Sequence, residues 1–169
     1  MKKLLLITSD NTLADSVKNK LTDTEITVSE NTSIISDNYD LIALADDTIN
    51  LSSEQINIAP TIRLHNSLLP AFNSAEPVKD AYLEGVKVTG VTVHRVEKTD
   101  MTGLILAQYP VLIDSYTSYG QLETEIKNIG NKLYPLVIKS VLDDTVFDLV
   151  EFLADKPKHK CSNCGKCSG

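Results

Sequence analysis

Two short runs of apolar residues with no polar alternation constrain this chain more than any other feature. Lys3 to Thr8 carries Leu4-Leu5-Leu6-Ile7 and stops in polar turn residues; Leu41-Ile42-Ala43-Leu44-Ala45 follows Asp40 in the same manner. A strand exposed on one face would alternate, so an unbroken run fits a strand buried on both, as inside a parallel sheet. Thr12, with Asp15 three residues on, is expected to cap a helix in which Leu13, Val17 and Leu21 share one face. Glu25 to Val28 offers a second strand and Thr61 to His65 a fourth. Strands alternating with helical segments point to an α/β fold with a parallel core.

The second half has a different texture. Val86 to Val96 is rich in Val and Thr, and Leu104 to Ile113 is a second β-prone run. The linker Glu97 to Gly103 is short enough to make these strands neighbours. Ser118 and Gln121 form a capping-box pattern, after which Leu122, Ile126, Ile129, Leu133 and Val137 make one apolar helical stripe. Pro135 is expected to kink that helix or to divide it in two. Phe147 to Leu153 reads as a final helix. The chain is thus expected to form one domain over residues 1–155, followed by a Lys- and Cys-rich tail over 156–169.

Charge and leader patterns narrow the function classes. The 169 residues hold 16 basic and 23 acidic side chains, a formal net charge of −7. Such a surface repels phosphate backbones and anionic lipid, so neither nucleic acid nor membrane is the expected partner. The first apolar run is too short for an export core and no small-residue cleavage site follows it, so a cytoplasmic location is expected. All 3 cysteines fall in the tail, where none can staple the fold internally.

The segment His65-Asn66-Ser67-Leu68-Leu69-Pro70-Ala71-Phe72 resembles the N-x-H-P-S-L-L-P signature of folate-dependent formyltransferases. Gly85 to His94 is similar to the strand that follows the signature in the phosphoribosylglycinamide branch of that family. Leu133-Tyr134-Pro135-Leu136-Val137-Ile138 resembles its late helix. The three matches occur in order and at family-like spacing. The resemblance implies a single-domain formyltransferase-type α/β fold, a partly parallel sheet with helices on both faces. It also implies 10-formyltetrahydrofolate as formyl donor and a folate-like small molecule as the bound partner. In that family an amine attacks the formyl group; an asparagine and a histidine stabilise the oxyanion while an aspartate orients the histidine.

Carried over by position, His65 falls on the catalytic histidine, and Arg63 stands where the asparagine would be. Met101 falls on the aspartate, within Asp100-Met101-Thr102-Gly103, so Asp100 is one position early. A one-residue shift in an extended segment turns a side chain to the other face; in a loop, Asp100 could still bend back toward His65. The resemblance thus implies catalytic candidates His65, Asp100 and Arg63. It assigns Ser67, Leu68, Leu69, Pro70, His94, Met101, Thr102 and Gly103 to the folate and substrate surface. Against this, Asp100 also reads as a solvated loop carboxylate, His94 as a hydrogen-bonded strand end, and Ser67 to Pro70 as the packing of a turn.

The family's phosphate site departs further. Its glycine-rich turn after the first strand is Ser9-Asp10-Asn11-Thr12 here, so Asp10 places a negative charge where a phosphate would sit. Its arginine-bearing segment after the third strand is Asp46-Asp47-Thr48-Ile49-Asn50-Leu51. The tail adds Cys161, Cys164 and Cys167 in a C-x2-C-x2-C pattern. Those three thiolates, with His159 as a fourth ligand, suit zinc or part of an iron–sulfur cluster. Two readings follow: a folate-dependent formyltransferase or hydrolase centred on His65, or a non-catalytic relative whose pocket binds a ligand or partner and whose tail holds metal.

Overall fold

The computed structural model describes residues 1–154. One six-stranded sheet runs in the order β2-β1-β3-β4-β5-β6. The strands are β1 (Lys2–Ile7), β2 (Thr24–Ser29), β3 (Leu41–Leu44), β4 (Thr61–His65), β5 (Val88–Arg95) and β6 (Ile105–Leu112). The first four are mutually parallel, whereas β5 and β6 return antiparallel. The helices are α1 (Asn11–Lys20), α2 (Ser53–Ile56), α3 (Pro77–Leu83), α4 (Tyr119–Leu142) and α5 (Leu149–Ala154).

The unbroken runs behave as expected because β1 and β3 are enclosed from both sides. Leu4, Leu6, Leu41 and Ala43 face the core under α1 and α4. Leu5, Ile7, Ile42 and Leu44 face a second, smaller core with Leu51, Ala59, Val96 and Met101. Period-two alternation therefore divides each strand between two cores. Helix α4 lies close over β4, where a Cβ on Gly130 would stand 3.1 Å from Leu64 Cδ2. The Tyr134 hydroxyl reaches through this layer to the Leu44 and Ile62 carbonyls at 2.9 and 3.2 Å. It thereby ties α4 to β3 and β4.

Two local expectations change. Asp10, not Thr12, caps α1: its carboxylate accepts from the Thr12 and Leu13 amides while its backbone stays extended. Both residues are cap formers, and the helix starts one residue before Thr12, which leaves the cap to Asp10. Pro135 does not divide α4, which runs as one helix of 24 residues. The missing amide costs one bond to the carbonyl four residues back, and the burial of Leu133, Tyr134, Val137 and Ile138 around it offsets that loss.

Along β6, an edge strand of the sheet among the described residues, the Ile113 amide donates to the Lys87 carbonyl, and the register pairs Val111 with Thr89 and Tyr109 with Val91. Alternation then points the amides of even-numbered β6 positions outward. Pro110, paired with Gly90, occupies one of them. Among the described residues no helix is long and apolar enough to cross a membrane.

Candidate functional site

The face of β4 opposite α4 carries Arg63 and His65, spaced two apart so that both side chains project the same way. Register sets Arg63 beside His94 and His65 beside Thr92 on β5. Asp47 enters from the loop after β3. Its Oδ1 lies 2.6 Å from His65 Nδ1 and 3.7 Å from an Arg63 terminal nitrogen. Asn66 donates its carboxamide to Asp47 Oδ2 at 2.7 Å. On the other side of the ring, His65 Nε2 sits 3.0 Å from the Phe72 carbonyl.

A carbonyl can only accept, so Nε2 must carry hydrogen. Asp47 Oδ1 faces the ring nitrogen closely but receives no well-directed hydrogen bond. The whole cluster is out of water, with His65 at 1%, Arg63 at 4% and His94 at 1% exposure. Burial pushes the Arg63 guanidinium below its ordinary range, and the charges of Asp47 and Asp46 oppose that. Burial likewise pushes His94 down; its bond to the Arg95 carbonyl opposes this, while positive charge from His65 and Arg63 adds to it.

The loop after β4 is stitched to the sheet. Ser67 Oγ donates to the Ala71 carbonyl at 2.6 Å, and Thr92 Oγ1 donates to the Ser67 carbonyl at 2.7 Å. The Leu69 amide donates to Thr92 Oγ1 at 3.1 Å, and Gln108 Nε2 reaches the Leu69 carbonyl at 2.9 Å. Ser67, Leu68, Leu69 and the exposed Pro70 thus pack the turn against β5 and β6.

The loop carrying the other carboxylate candidate goes elsewhere. Asp100 is exposed and accepts from Thr102, whose hydroxyl and amide hold it below the usual carboxylate range. Met101 turns inward and joins the second core. Gly103 presses on β5 so closely that a Cβ would meet the Arg95 carbonyl at 2.2 Å. Asp100 is therefore not brought to His65, whose two ring nitrogens already face Asp47 and Phe72. Cys161, Cys164, Cys167 and His159 lie outside the described residues.

Asp47 stands outside the family motif, which places its aspartate after β5. The available signal was an Asp-Asp pair directly beyond the carboxyl end of a buried strand, beside the end of β4.

A cleft of about 470 Å³ opens on the other face of β4, between α1, α3 and α4. Its floor includes Leu13, Leu64 and Ile126, and its polar lining is Asp10, Asn66, Glu123, Thr124, Lys127 and Asn131. Lys127 Nζ meets Asp10 Oδ2 at 3.1 Å. Burial works to raise the Asp10 pKa; Lys127 and the Leu13 and Thr12 amides outweigh it and hold the carboxyl below its usual value. Beneath the cleft, β1 lies between β2 and β3. The chain leaves β1 toward one neighbour and returns to the other, the switch point where open α/β sheets take ligands.

Known proteins share this architecture. Phosphoribosylglycinamide formyltransferase of Bacillus subtilis is 43% identical over 81 residues, 48% of this chain and 42% of that protein. Methionyl-tRNA formyltransferase of Protochlamydia amoebophila is 42% identical over 79 residues, 46% of this chain and 24% of that one. The alignments thus span less than half the length of each of these relatives. Among solved structures, glycinamide ribonucleotide transformylase 1 of Geobacillus kaustophilus superposes with a TM-score of 0.72 at 24% identity, covering 84% of this chain and 99% of that one. A 4-N formyltransferase of Francisella tularensis gives 0.75 at 17% identity, covering 86% and 71%. Residues 3–138 match the formyl transferase family model, and the chain belongs to that family.

Proposed function

We propose that this chain is a non-catalytic member of its family, in which the His65 centre braces the fold and the cleft above α1 holds a small ligand. One observation supports the first half of that reading: both nitrogens of the His65 ring are engaged by the chain itself, and the ring is 1% exposed. A group that stabilises an oxyanion must point a donor at the place where charge will develop. The residues present do not fit a formyl donor at His65, because Asp47 and Phe72 already occupy the directions such a donor needs. Arg63, in the asparagine's place, is likewise turned to Asp47 and the Asp46 carbonyl.

The deciding experiment is formyl release or transfer from 10-formyltetrahydrofolate by the full chain and by His65→Ala. Loss of one oxyanion donor alone lowers rate by about a hundredfold or more. The expected result is no turnover above the uncatalysed rate in either protein. Turnover in the native chain that His65→Ala abolishes would overturn the reading and restore a formyltransferase or hydrolase.

The metal half of the reading rests on sequence. Among the described residues no three His, Cys, Asp or Glu side chains converge to hold an ion, so the proposed ligands are Cys161, Cys164, Cys167 and His159. Equilibrium dialysis against zinc should retain one ion per chain, lost in Cys164→Ser. Equal retention by native protein and variant would refute it.

A further inference from the structure

The cleft at the carboxyl ends of β1, β3 and β4 has a built-in anion. The first amides of a helix attract anions because they lack internal partners and sit at the positive end of the helix dipole. In α1 two of those donors are already taken: the Asp10 carboxylate accepts from the Thr12 and Leu13 amides at 2.8 and 3.3 Å. A phosphate approaching this corner would meet a carboxylate seated on the Thr12 and Leu13 N–H groups. Among the described residues the other ionised side chains of the lining are Glu123 and Lys127, so these residues together give the cleft one net negative charge. The Lys127 ammonium is tied to Asp10.

Two carboxamides also line the cleft. Asn66 spends its N–H on Asp47, and no group among the described residues donates to its carbonyl oxygen. The Asn131 carboxamide makes no side-chain hydrogen bond among the described residues. The cleft therefore offers carboxylate and carboxamide oxygens over the apolar floor of Leu13, Leu64 and Ile126.

We propose that this cleft binds a small, phosphate-free primary amine, its ammonium paired with Asp10 and its hydrocarbon body on that floor. The proposal rests on the reading of the cleft as the ligand site, and names the ligand class. An ammonium would complete the charge balance around Asp10 and Glu123 and donate to the Asn66 oxygen, and a phosphate could do neither.

The test uses the full chain with n-butylamine and inorganic phosphate as probes, followed by NMR shifts of the Asn66, Lys127 and Asn131 amides. Native protein should respond to the amine and not to phosphate. Asp10→Ser keeps a capping side chain, so the helix start survives; it should weaken amine binding about tenfold or more, as expected for a lost charge-assisted contact, and admit phosphate. Lys127→Met should tighten amine binding by freeing Asp10. Phosphate binding by the native protein, or amine binding unchanged in Asp10→Ser, would overturn the proposal. Absence of any amine response would overturn it equally. None of these outcomes bears on formyl turnover, so the two readings fail separately.

Discussion

Asp47→Ala should lower the stability of the fold by about 3–5 kcal/mol, the usual cost of removing one partner from a buried ion pair. In a domain of this size that corresponds to a fall in melting temperature on the order of 10 °C. The size of the effect comes from what is left behind. Arg63 and His65 would remain buried without the carboxylate that faces both, and Asn66 would lose its acceptor. Asp47→Asn separates the terms, since a carboxamide retains an acceptor for Asn66 but not the charge. Replacing Asp47, Arg63 and His65 together by apolar residues of similar volume should recover most of the loss, as whole buried ion pairs are often replaceable while half of one is not. Thermal melts of the three proteins decide the matter. A change below about 1 kcal/mol in Asp47→Ala would mean that the cluster is solvated in solution and not a brace.

Gly90→Ala should cost on the order of 3 kcal/mol, the upper range for overpacking. An added Cβ would stand 2.0 Å from the Tyr109 carbonyl oxygen and 2.8 Å from Leu68 Cδ2. The leucine could turn away. The carbonyl belongs to the β5–β6 ladder and could move only by opening it. Gly120→Ala is the control: nothing lies within 4 Å of its added Cβ, and the residue is in the first turn of α4, so alanine should stabilise by about 0.5–1 kcal/mol. Denaturant unfolding of both variants gives the comparison. Equal small effects would show that the strand adjusts to admit a side chain.

The extent to which the sequence disclosed this architecture follows from element length and burial. All six strands were recognisable, because enclosure on two faces leaves unbroken apolar runs at β1 and β3, while β5 and β6 carry the Val- and Thr-rich composition of strands. The long helix α4 showed itself through the Ser118–Gln121 capping box and a stripe that periodicity makes hard to miss. Helices α2 and α3, of four and seven residues, are too short to show a periodic face. The site was half legible. The signature located His65, but its carboxylate arrives through space from the loop after β3, and a linear motif carries no information about which loop folds over a strand. Asp100 looked like the displaced partner only because sequence adjacency stood in for distance.

Pro110 on the outer edge of β6 has a consequence for how copies of this chain behave when crowded. A sheet edge invites a further strand when its outward amides form an uninterrupted ladder. Here the ladder of outward amides is interrupted at Pro110, where proline contributes no hydrogen and its ring projects toward any incoming backbone. A seventh strand could pair above or below that position but not across it. Growth of the sheet from molecule to molecule, the first step toward an insoluble fibre, is therefore obstructed at this edge by one imino acid that folding itself does not require to donate.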